Sequence, residues 1–236
     1  MTDRLSLPWP DPEPFRLRRG SPIRILAVSD ESDPTLDSAA TREGLAPLDM
    51  IVGCGDLEPP YLAFLADAFG VPLLYVRGNH DVGGSWGERV RDVLPAPLDD
   101  GRIHTEAGVR LLPFSGAPRY APHGRPGAEQ QVSGFGMWTR VLRAWPGAAG
   151  RRPMLLVTHA APRGINDAPD QAHRGFAGFR WLLDRLDPPL WLHGHTALVR
   201  RGIDGRRVRH GATMVVNVTG ATLVELTPPG ATPATV

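Results

Sequence analysis

The chain has 236 residues, which is enough for one sizeable domain or two small ones. Its formal net charge of +1 argues against a broad basic surface for nucleic acid or for membrane lipid. Cys54 is the only cysteine, which rules out an intrachain disulfide framework and a zinc site built from cysteines. No apolar run approaches the ~18 residues of a membrane span, and the N-terminus lacks a signal-peptide pattern. We therefore expect a cytoplasmic protein.

The first 20 residues are predicted to form a separate, Pro-rich arm. Prolines alternate with other residues from Pro8 to Pro14, which favours extended polyproline structure. Trp9 and Phe15 indicate that this arm packs onto the body of the protein. A single domain is expected over residues 21–228, followed by a loose tail over residues 229–236.

Five predicted strands along the chain are each followed by polar residues that can bind a cation or move a proton. Taken singly, such residues have ordinary explanations, because Gly78-Asn79 is common turn chemistry and the acidic residues after the first strand can cap a helix over residues 35–46. The five strands are residues 23–28, 49–53, 71–76, 153–157 and 189–192, and the polar residues that follow them are Asp30, Asp56, Asn79, His80, Asp81, His159, His193 and His195.

The remaining patterns predict helices over residues 60–69, 129–145 and 174–186, with Trp138, Val141, Leu142 and Trp145 facing the core. Residues 102–114 indicate a strand pair that turns at Ala107-Gly108. Residues 213–218 and 222–226 are interpreted as a final hairpin. The long Pro/Gly-rich loop over residues 115–127 is expected to line a substrate pocket or to be a disordered insertion.

Gly83-Gly84-Ser85-Trp86-Gly87 matches the G-x-S-x-G pattern of serine hydrolases. That motif requires its serine directly at a turn from strand to helix. Here the preceding strand is predicted to end near Val76, so several loop residues intervene. A serine hydrolase that uses Ser85 is therefore kept only as a third interpretation of the chain.

The strand-terminal residues together indicate a metal site. In α/β folds, ligands bind at the carboxyl ends of the strands, and residues distant in sequence meet at that edge. A mixture of carboxylate, amide and imidazole groups suits Mn, Fe or Zn, whereas oxygen ligands alone favour Mg or Mn.

The order and spacing of these residues resemble the calcineurin-like metallophosphoesterase family. Its pattern is D-x-H, then G-D, then G-N-H-[DE], then a strand-terminal His, then G-H-x-H. The segments that match are Gly55-Asp56, Gly78-Asn79-His80-Asp81, His159 and Gly194-His195. The resemblance covers about residues 23–226 and implies an α/β fold, a four-layer α/β/β/α sandwich around two mixed sheets.

Two positions depart from the family pattern. Ser32 replaces the His of the first motif, and Ala197 replaces the last His of the final motif. The resemblance implies that both lost imidazoles belong to one metal, which also uses Asp30 and shares Asp56 with its neighbour.

The second metal keeps its full set, Asp56, Asn79, His159 and His195. Three consequences remain open: the damaged site still binds a hard ion through oxygen ligands, the protein works with one metal, or it binds phosphate groups without hydrolysing them. A register in which His193 replaces a lost imidazole is a further alternative.

The resemblance also implies an activity, the hydrolysis of a small phosphate ester by metal-activated water, with a nucleotide as one candidate substrate. In this interpretation His80 protonates the leaving oxygen or stabilises its charge, and Asp81 orients His80. The residues expected to bind substrate are Arg119, Arg163, His173 and Arg174. A non-catalytic phosphate-binding or scaffold protein on the same fold is the main alternative.

Overall fold

The protein is described here as a computed structural model that covers residues 2–120, 130–150, 152–196 and 202–230. Most of the loop that was expected to line a substrate pocket, Ala197, and residues 231–236 of the expected tail lie outside the described residues.

The secondary structure alternates between strands and helices along most of the chain. Short 3₁₀ helices cover Pro34–Asp37, Gly84–Trp86 and Glu88–Asp92. The strands are β1 (Asp3–Pro8), β2 (Ile23–Ser29), β3 (Met50–Gly53), β4 (Leu73–Tyr75), β5 (His104–Glu106), β6 (Val109–Phe114), β7 (Ala117–Pro118), β8 (Gln131–Val132), β9 (Leu155–Thr158), β10 (Leu190–His193), β11 (Arg207–His210), β12 (Thr213–Asn217) and β13 (Gly220–Thr227). The helices are α1 (Glu13–Arg16), α2 (Ala39–Leu45), α3 (Pro59–Phe69), α4 (Gly134–Ala148), α5 (Ala177–Leu186) and α6 (Gly202–Arg206).

Two large mixed sheets carry the fold. The first has the strand order β1-β13-β2-β3-β4, and the second has the order β11-β12-β10-β9-β6-β5. Strands β2, β3 and β4 run parallel, and so do β6, β9, β10 and β12, which places the chain segments after them at the carboxyl edge of each sheet. Strands β7 and β8 form a separate parallel pair.

The packing of alternate side chains produces four layers. In β2, Ile23, Ile25 and Ala27 join the core between the two sheets, whereas Leu26 and Val28 pack on the opposite face against the α2 and α3 side. The same alternation in β9 and β10 sends every second residue to the helices α4 and α5. Strands with apolar residues on both faces must be covered on both sides, and the predicted α/β/β/α sandwich is confirmed.

The N-terminal segment differs from the predicted polyproline arm. Residues 3–8 form β1, which pairs in parallel with β13 at the edge of the first sheet. Trp9 and Phe15 are buried in the core between the sheets, as their apolar character indicated. The local proline pattern was outweighed by a free sheet edge and by the burial of these two rings. The expected domain boundaries at residues 20 and 228 stay a prediction.

Two further sequence interpretations were wrong. The final hairpin does not exist, because β12 lies in the second sheet and β13 in the first, so the turn near Gly220 joins the two sheets. Leu142, which was expected to face the core, is 52% exposed, while Val141 is buried. In the described part of the chain, no helix is both long and apolar enough to cross a membrane.

Candidate metal centre

The polar segments after β2, β3 and β4 meet those after β9 and β10 between the two sheets. They border a cavity of about 540 Å³. Sequence reasoning expected one shared sheet edge, and the structure instead divides the strand ends between two sheets that face each other. The residues that line the cavity are Asp30, Glu31, Asp56, Asn79, His80, Tyr120, Ala172, His173 and His195.

A compact group of ligand atoms lies at this cavity. One atom each from Asp56, His159 and His195 lie within 4.8 Å of one another. The amide oxygen of Asn79 is 3.0 Å from Nε2 of His159, and the carboxylate of Asp56 is 3.2 Å from the same nitrogen. Asn79, His159 and His195 are buried. The structure therefore brings together the four residues expected to hold the complete metal site.

The hydrogen bonds of His159 leave its Nε2 facing the side-chain oxygens of Asn79 and Asp56. Its Nδ1 lies 2.7 Å from the carbonyl oxygen of Cys54, so Nδ1 carries the proton of the neutral ring. Nε2 is then a bare nitrogen that faces the oxygens of Asn79 and Asp56, and three acceptors face one another. Asn79 is held in this orientation because its amide nitrogen donates to the hydroxyl of Tyr120, 3.3 Å away. A proton on Nε2 or a metal ion resolves the conflict.

The pKa values of His159 and Asp56 also favour a positive charge between the two side chains. Burial lowers the pKa of His159, but the carboxylate of Asp56 outweighs it and raises this pKa to about 9. Burial raises the pKa of Asp56, but His159 outweighs it and lowers this pKa to about 2. Nitrogen atoms of His159 and His195 and oxygen atoms of Asn79 and Asp56 form a donor set that suits a divalent metal such as Mn, Fe or Zn.

His195 is prepared as a neutral ligand. Its Nε2 lies 2.8 Å from the carbonyl oxygen of Ala172, to which it donates, so Nδ1 keeps its lone pair. Burial lowers the pKa of His195 to about 3, which keeps the ring uncharged at neutral pH. Its ring also packs against the rings of His159 and His173, with centroids 4.8 Å and 4.9 Å apart.

The backbone at the candidate ligands is strained. Asp30, Asp56 and His195 have φ angles of 60°, 57° and 66°, a region that residues other than Gly rarely adopt. Such conformations cluster at functional sites, where surrounding contacts enforce them. Here the backbone N–H of His195 donates to both carboxylate oxygens of Asp30, at 3.0 Å and 2.9 Å.

Close backbone approach explains one of the glycines in the motifs. Gly55 has a φ of 94°, and a Cβ there would lie 2.6 Å from the nitrogen of Gly78 and 2.7 Å from Nδ1 of His159. A side chain at this position would push His159 away from Asp56. Gly55 therefore allows the backbone after β3 to lie in contact with the imidazole of His159.

Asp81 holds the segments that carry the ligands. Its buried carboxylate accepts from the N–H of Gly78 at 2.7 Å and from the N–H of Asp56 at 3.0 Å. Burial raises the pKa of Asp81 to about 6. Among the described residues, no hydrogen bond joins the side chains of Asp81 and His80, so the expected contact that orients His80 is not present.

His80 reaches into solvent at the mouth of the cavity. Its side chain is 75% exposed, and Nε2 lies 4.0 Å from the carboxylate of Asp56. Its backbone N–H donates to the other carboxylate oxygen of Asp56 at 2.7 Å. The imidazole is thus placed beside the ligand group without being packed into it.

The side of the cavity nearest Asp30 lacks imidazole ligands from the family motifs. Ser32 is exposed, and Ala197 lies outside the described residues. Burial raises the pKa of Asp30. His193 is fully buried and is not among the residues that line the cavity, so the alternative register gains no support.

The residues expected to bind substrate divide between two cavities. His173 lines the metal cavity, whereas Arg119, Arg163 and Arg174 line a neighbouring cavity of about 530 Å³. Tyr120 lines both. Sequence reasoning missed this division, and it missed the two backbone carbonyls that fix the histidine tautomers, since no residue type marks a backbone acceptor.

Ser85 does not occupy a nucleophile elbow. It is exposed within the 3₁₀ helix Gly84–Trp86, well after the end of β4, and its hydroxyl donates to the carboxylate of Glu58. A serine nucleophile needs a base such as an imidazole. Its partner here is a carboxylate at the surface, and the geometry does not match the serine-hydrolase motif.

Comparison with solved structures supports the fold. The chain is similar to a protein of Thermus thermophilus, TT1561, with 17% identity, a TM-score of 0.53, and coverage of 85% of this chain and 90% of that one. It is also similar to a dimetal phosphatase from Danio rerio, with 10% identity, a TM-score of 0.51, and coverage of 85% and 88%. No curated protein matches the chain.

The family profile described as calcineurin-like phosphoesterase matches residues 23–198. This range includes every candidate ligand, three of the five strands of the first sheet and four of the six strands of the second. The profile match and the strand-end geometry lead to the same conclusion, that the chain belongs to the calcineurin-like phosphoesterase family.

Proposed function

We propose that the protein is a metal-dependent phosphoesterase, acting as a phosphatase or phosphodiesterase in the cytoplasm. The observation that carries the proposal is the position of Nε2 of His159, which faces the oxygens of Asn79 and Asp56. A proton on Nε2 or a metal ion satisfies these atoms, and the further nitrogen that His195 offers within the same group favours the metal ion. Asp56, Asn79, His159 and His195 would hold one divalent ion firmly, with Mn, Fe, Zn or Mg as candidates.

A divalent ion held there would draw charge from a phosphoryl oxygen and lower the pKa of a coordinated water. The chain's own groups supply the remaining requirements. The hydroxyl of Tyr120 accepts from the amide nitrogen of Asn79 and so keeps the ligand Asn79 in place. The carbonyl of Ala172 keeps His195 in its tautomer. Asp81 fixes the backbone of two ligand segments from within the core.

His80 is the proposed proton donor for the leaving oxygen. Its imidazole lies at the cavity mouth, is 75% exposed, and can move without disturbing the ligands. The carboxylate of Asp56 accepts from the backbone N–H of His80, so the proposed donor is tied directly to a metal ligand on another segment. His173 also lines the cavity, its Nδ1 lies 2.9 Å from the carboxylate of Asp170, and its ring can contact the substrate.

The second candidate is a phosphate-binding protein that does not hydrolyse its ligand. The observation in its favour is the exposed Ser32, two residues after Asp30, where the family pattern has an imidazole. A weakened second site would reduce charge neutralisation in the transition state. This candidate predicts bound metal and bound phosphate without turnover.

Chelation and add-back test the proposal. The purified protein is treated with EDTA, dialysed, and assayed on 4-nitrophenyl phosphate and bis(4-nitrophenyl) phosphate before and after addition of Mn²⁺, Mg²⁺, Fe²⁺ or Zn²⁺. We expect loss and recovery of hydrolysis, with close to one tightly bound ion per chain by mass spectrometry. Hydrolysis that survives chelation would contradict the metal-dependent mechanism, and metal binding without hydrolysis of either ester would favour the second candidate.

A further inference from the structure

The cavity beside the metal centre carries a concentration of positive charge. Arg119, Arg163 and Arg174 line it, and its lining among the described residues includes no carboxylate. The chain as a whole has a net charge of only +1. Guanidinium groups that line one cavity attract an anion that enters it.

The hydrogen bonds of two of these arginines position their charge without neutralising it. Nε of Arg163 donates to the carbonyl oxygen of Gly175 at 3.0 Å, and a terminal nitrogen of Arg174 donates to the carbonyl oxygen of Pro169 at 3.0 Å. Within the described part of the chain, neither side chain forms an ion pair. The carbonyls fix part of each guanidinium group, and its remaining N–H groups stay available to a ligand.

Other arginines of the chain form ion pairs with carboxylates. Arg18 pairs with Asp49 at 2.7 Å, Arg24 with Glu225 at 3.1 Å, and Arg180 with Asp184 at 3.1 Å. Among the described residues, Arg163 and Arg174 have no such carboxylate. Within the same described part of the chain, Arg42 and Arg110 likewise donate to carbonyls without an ion pair, and what distinguishes Arg163 and Arg174 is that both line the same cavity.

The remaining walls of the cavity suit a phosphate ester. The segment at Ser133 and Gly134 begins the 15-residue helix α4, whose N-terminus adds a partial positive charge to the arginines. Phe176 and Pro118 supply apolar surface for the part of a ligand between its anionic groups. Arginine forks bind phosphate oxygens in pairs, and the three terminal oxygens of a phosphate, unlike the two of a carboxylate, can accept from two forks at once.

Tyr120 connects this cavity to the metal centre. It lines both cavities, and its hydroxyl accepts from the amide of Asn79 at 3.3 Å. One ligand can therefore place one anionic group near Asp56 and His159 and another among the arginines.

We propose that the cavity lined by Arg119, Arg163 and Arg174 binds a second phosphate of the substrate, one that is not hydrolysed. This inference rests on the proposed function and narrows its substrate class to phosphate esters that carry another phosphate group. The metal centre acts on one phosphate, and the arginine cavity selects for the other.

Calorimetry on the metal-free protein tests the site without turnover. Pyrophosphate is titrated into the EDTA-treated wild type, the Arg163→Gln/Arg174→Gln double variant and an Arg16→Gln control, whose arginine is 70% exposed and pairs with Glu13. We expect the double variant to bind pyrophosphate at least about tenfold more weakly than the wild type, and the control to match the wild type. Equal binding by all three proteins would overturn the proposal.

The Mn²⁺-loaded protein tests the selection for a second phosphate. We expect adenosine 3′,5′-bisphosphate to bind at least about tenfold more tightly than adenosine 5′-monophosphate, and this ratio to fall towards one in the double variant. A ratio near one in the wild type would overturn the inference. Arginine-dependent binding without any ester hydrolysis would contradict the proposed function alone, and hydrolysis without arginine-dependent binding would contradict this inference alone.

Discussion

The metal cavity has two walls that differ in burial and in hydrogen bonding. The well-built wall is formed by Asn79, His159 and His195, and the weaker wall by Asp30 and Glu31. On one wall, Asn79, His159 and His195 are buried, and each has a second hydrogen-bond partner that fixes its orientation. On the other wall, Asp30 is followed by exposed Glu31 and by Ser32, which is also exposed. The first wall has the properties of a metal site in which outer contacts orient the ligands. The second wall offers carboxylates but no imidazole from the first motif.

This difference shows how a site can lose ligands without losing its frame. Asp30 has lost the imidazole expected two residues later, yet its carboxylate still holds the N–H of His195. Thr219 also donates to Asp30, at 3.4 Å. The aspartate thus has a structural task that is independent of a second ion. A wall can therefore keep its backbone strain and its contacts while its affinity for metal falls.

The largest effect is expected from His159→Ala. The variant removes the nitrogen that faces Asn79 and Asp56, and the protein should lose its bound ion, with affinity reduced on the order of 100-fold or more. Metal per chain after dialysis, measured by mass spectrometry, checks this expectation.

His104→Ala is the matched control for that variant, because the side chain of His104 is 41% exposed and belongs to β5, outside the metal cavity. Its metal content should equal that of the wild type. Full metal occupancy in folded His159→Ala protein would show that the well-built wall is not the metal site.

The next effect separates metal binding from chemistry. His80→Ala removes an exposed imidazole but keeps the backbone N–H that bonds to Asp56. We expect unchanged metal content and a turnover reduced by roughly 10²–10⁴-fold, the usual worth of a positioned proton donor. Steady-state assays on phenyl phosphate, whose phenol leaves poorly without a proton, paired with metal analysis, measure both quantities, and the loss should be smaller with 4-nitrophenyl phosphate, whose leaving group needs no proton donor. A variant that loses its metal, or one that keeps full turnover, would contradict the assigned role.

The strand pattern predicted much of the fold and which polar residues meet at the cavity. Apolar runs followed by Asp56, Asn79 and His159 identified the strand ends that meet, because strand direction and residue type are local properties of the sequence. The helix over residues 60–69 agrees closely with α3, Pro59–Phe69. These features depend on local periodicity and on a motif with close spacing.

The failures share a non-local cause. Whether residues 222–226 pair with the preceding strand or cross to the other sheet depends on which sheet edge is free, and β1 and β2 take both sides of β13. Likewise, the family pattern gave Asp81 a contact with His80, whereas the fold directs it to two backbone N–H groups. Neither choice is encoded in the residues adjacent in sequence.

Asp81→Asn should produce an intermediate effect on the well-built wall. Both N–H groups donate to the same oxygen of Asp81, Oδ2, and the uncharged oxygen of an amide accepts such bonds more weakly than a carboxylate oxygen does. We expect the free energy of unfolding to fall by about 1–3 kcal/mol and the metal affinity to fall by about 10–100-fold. Urea unfolding and metal titration measure these changes. Asp99→Asn, at an aspartate whose side chain is 73% exposed, is the control, and equal behaviour of both variants would show that Asp81 does not support the ligands.

The smallest effect is a gain on the weaker wall. Ser32→His together with Ala197→His returns the two imidazoles that the family pattern places there, beside the carboxylates of Asp30 and Asp56. If the frame of that wall is intact, these rings should raise the metal content towards a second ion per chain and raise turnover of bis(4-nitrophenyl) phosphate by a few-fold, because charge on the phosphoryl oxygens is then neutralised from both sides. Ser85→His, at an exposed serine outside the cavity, controls for adventitious binding by an added imidazole. No gain in metal content or turnover beyond that control would mean that the weaker wall has lost more than its two histidines.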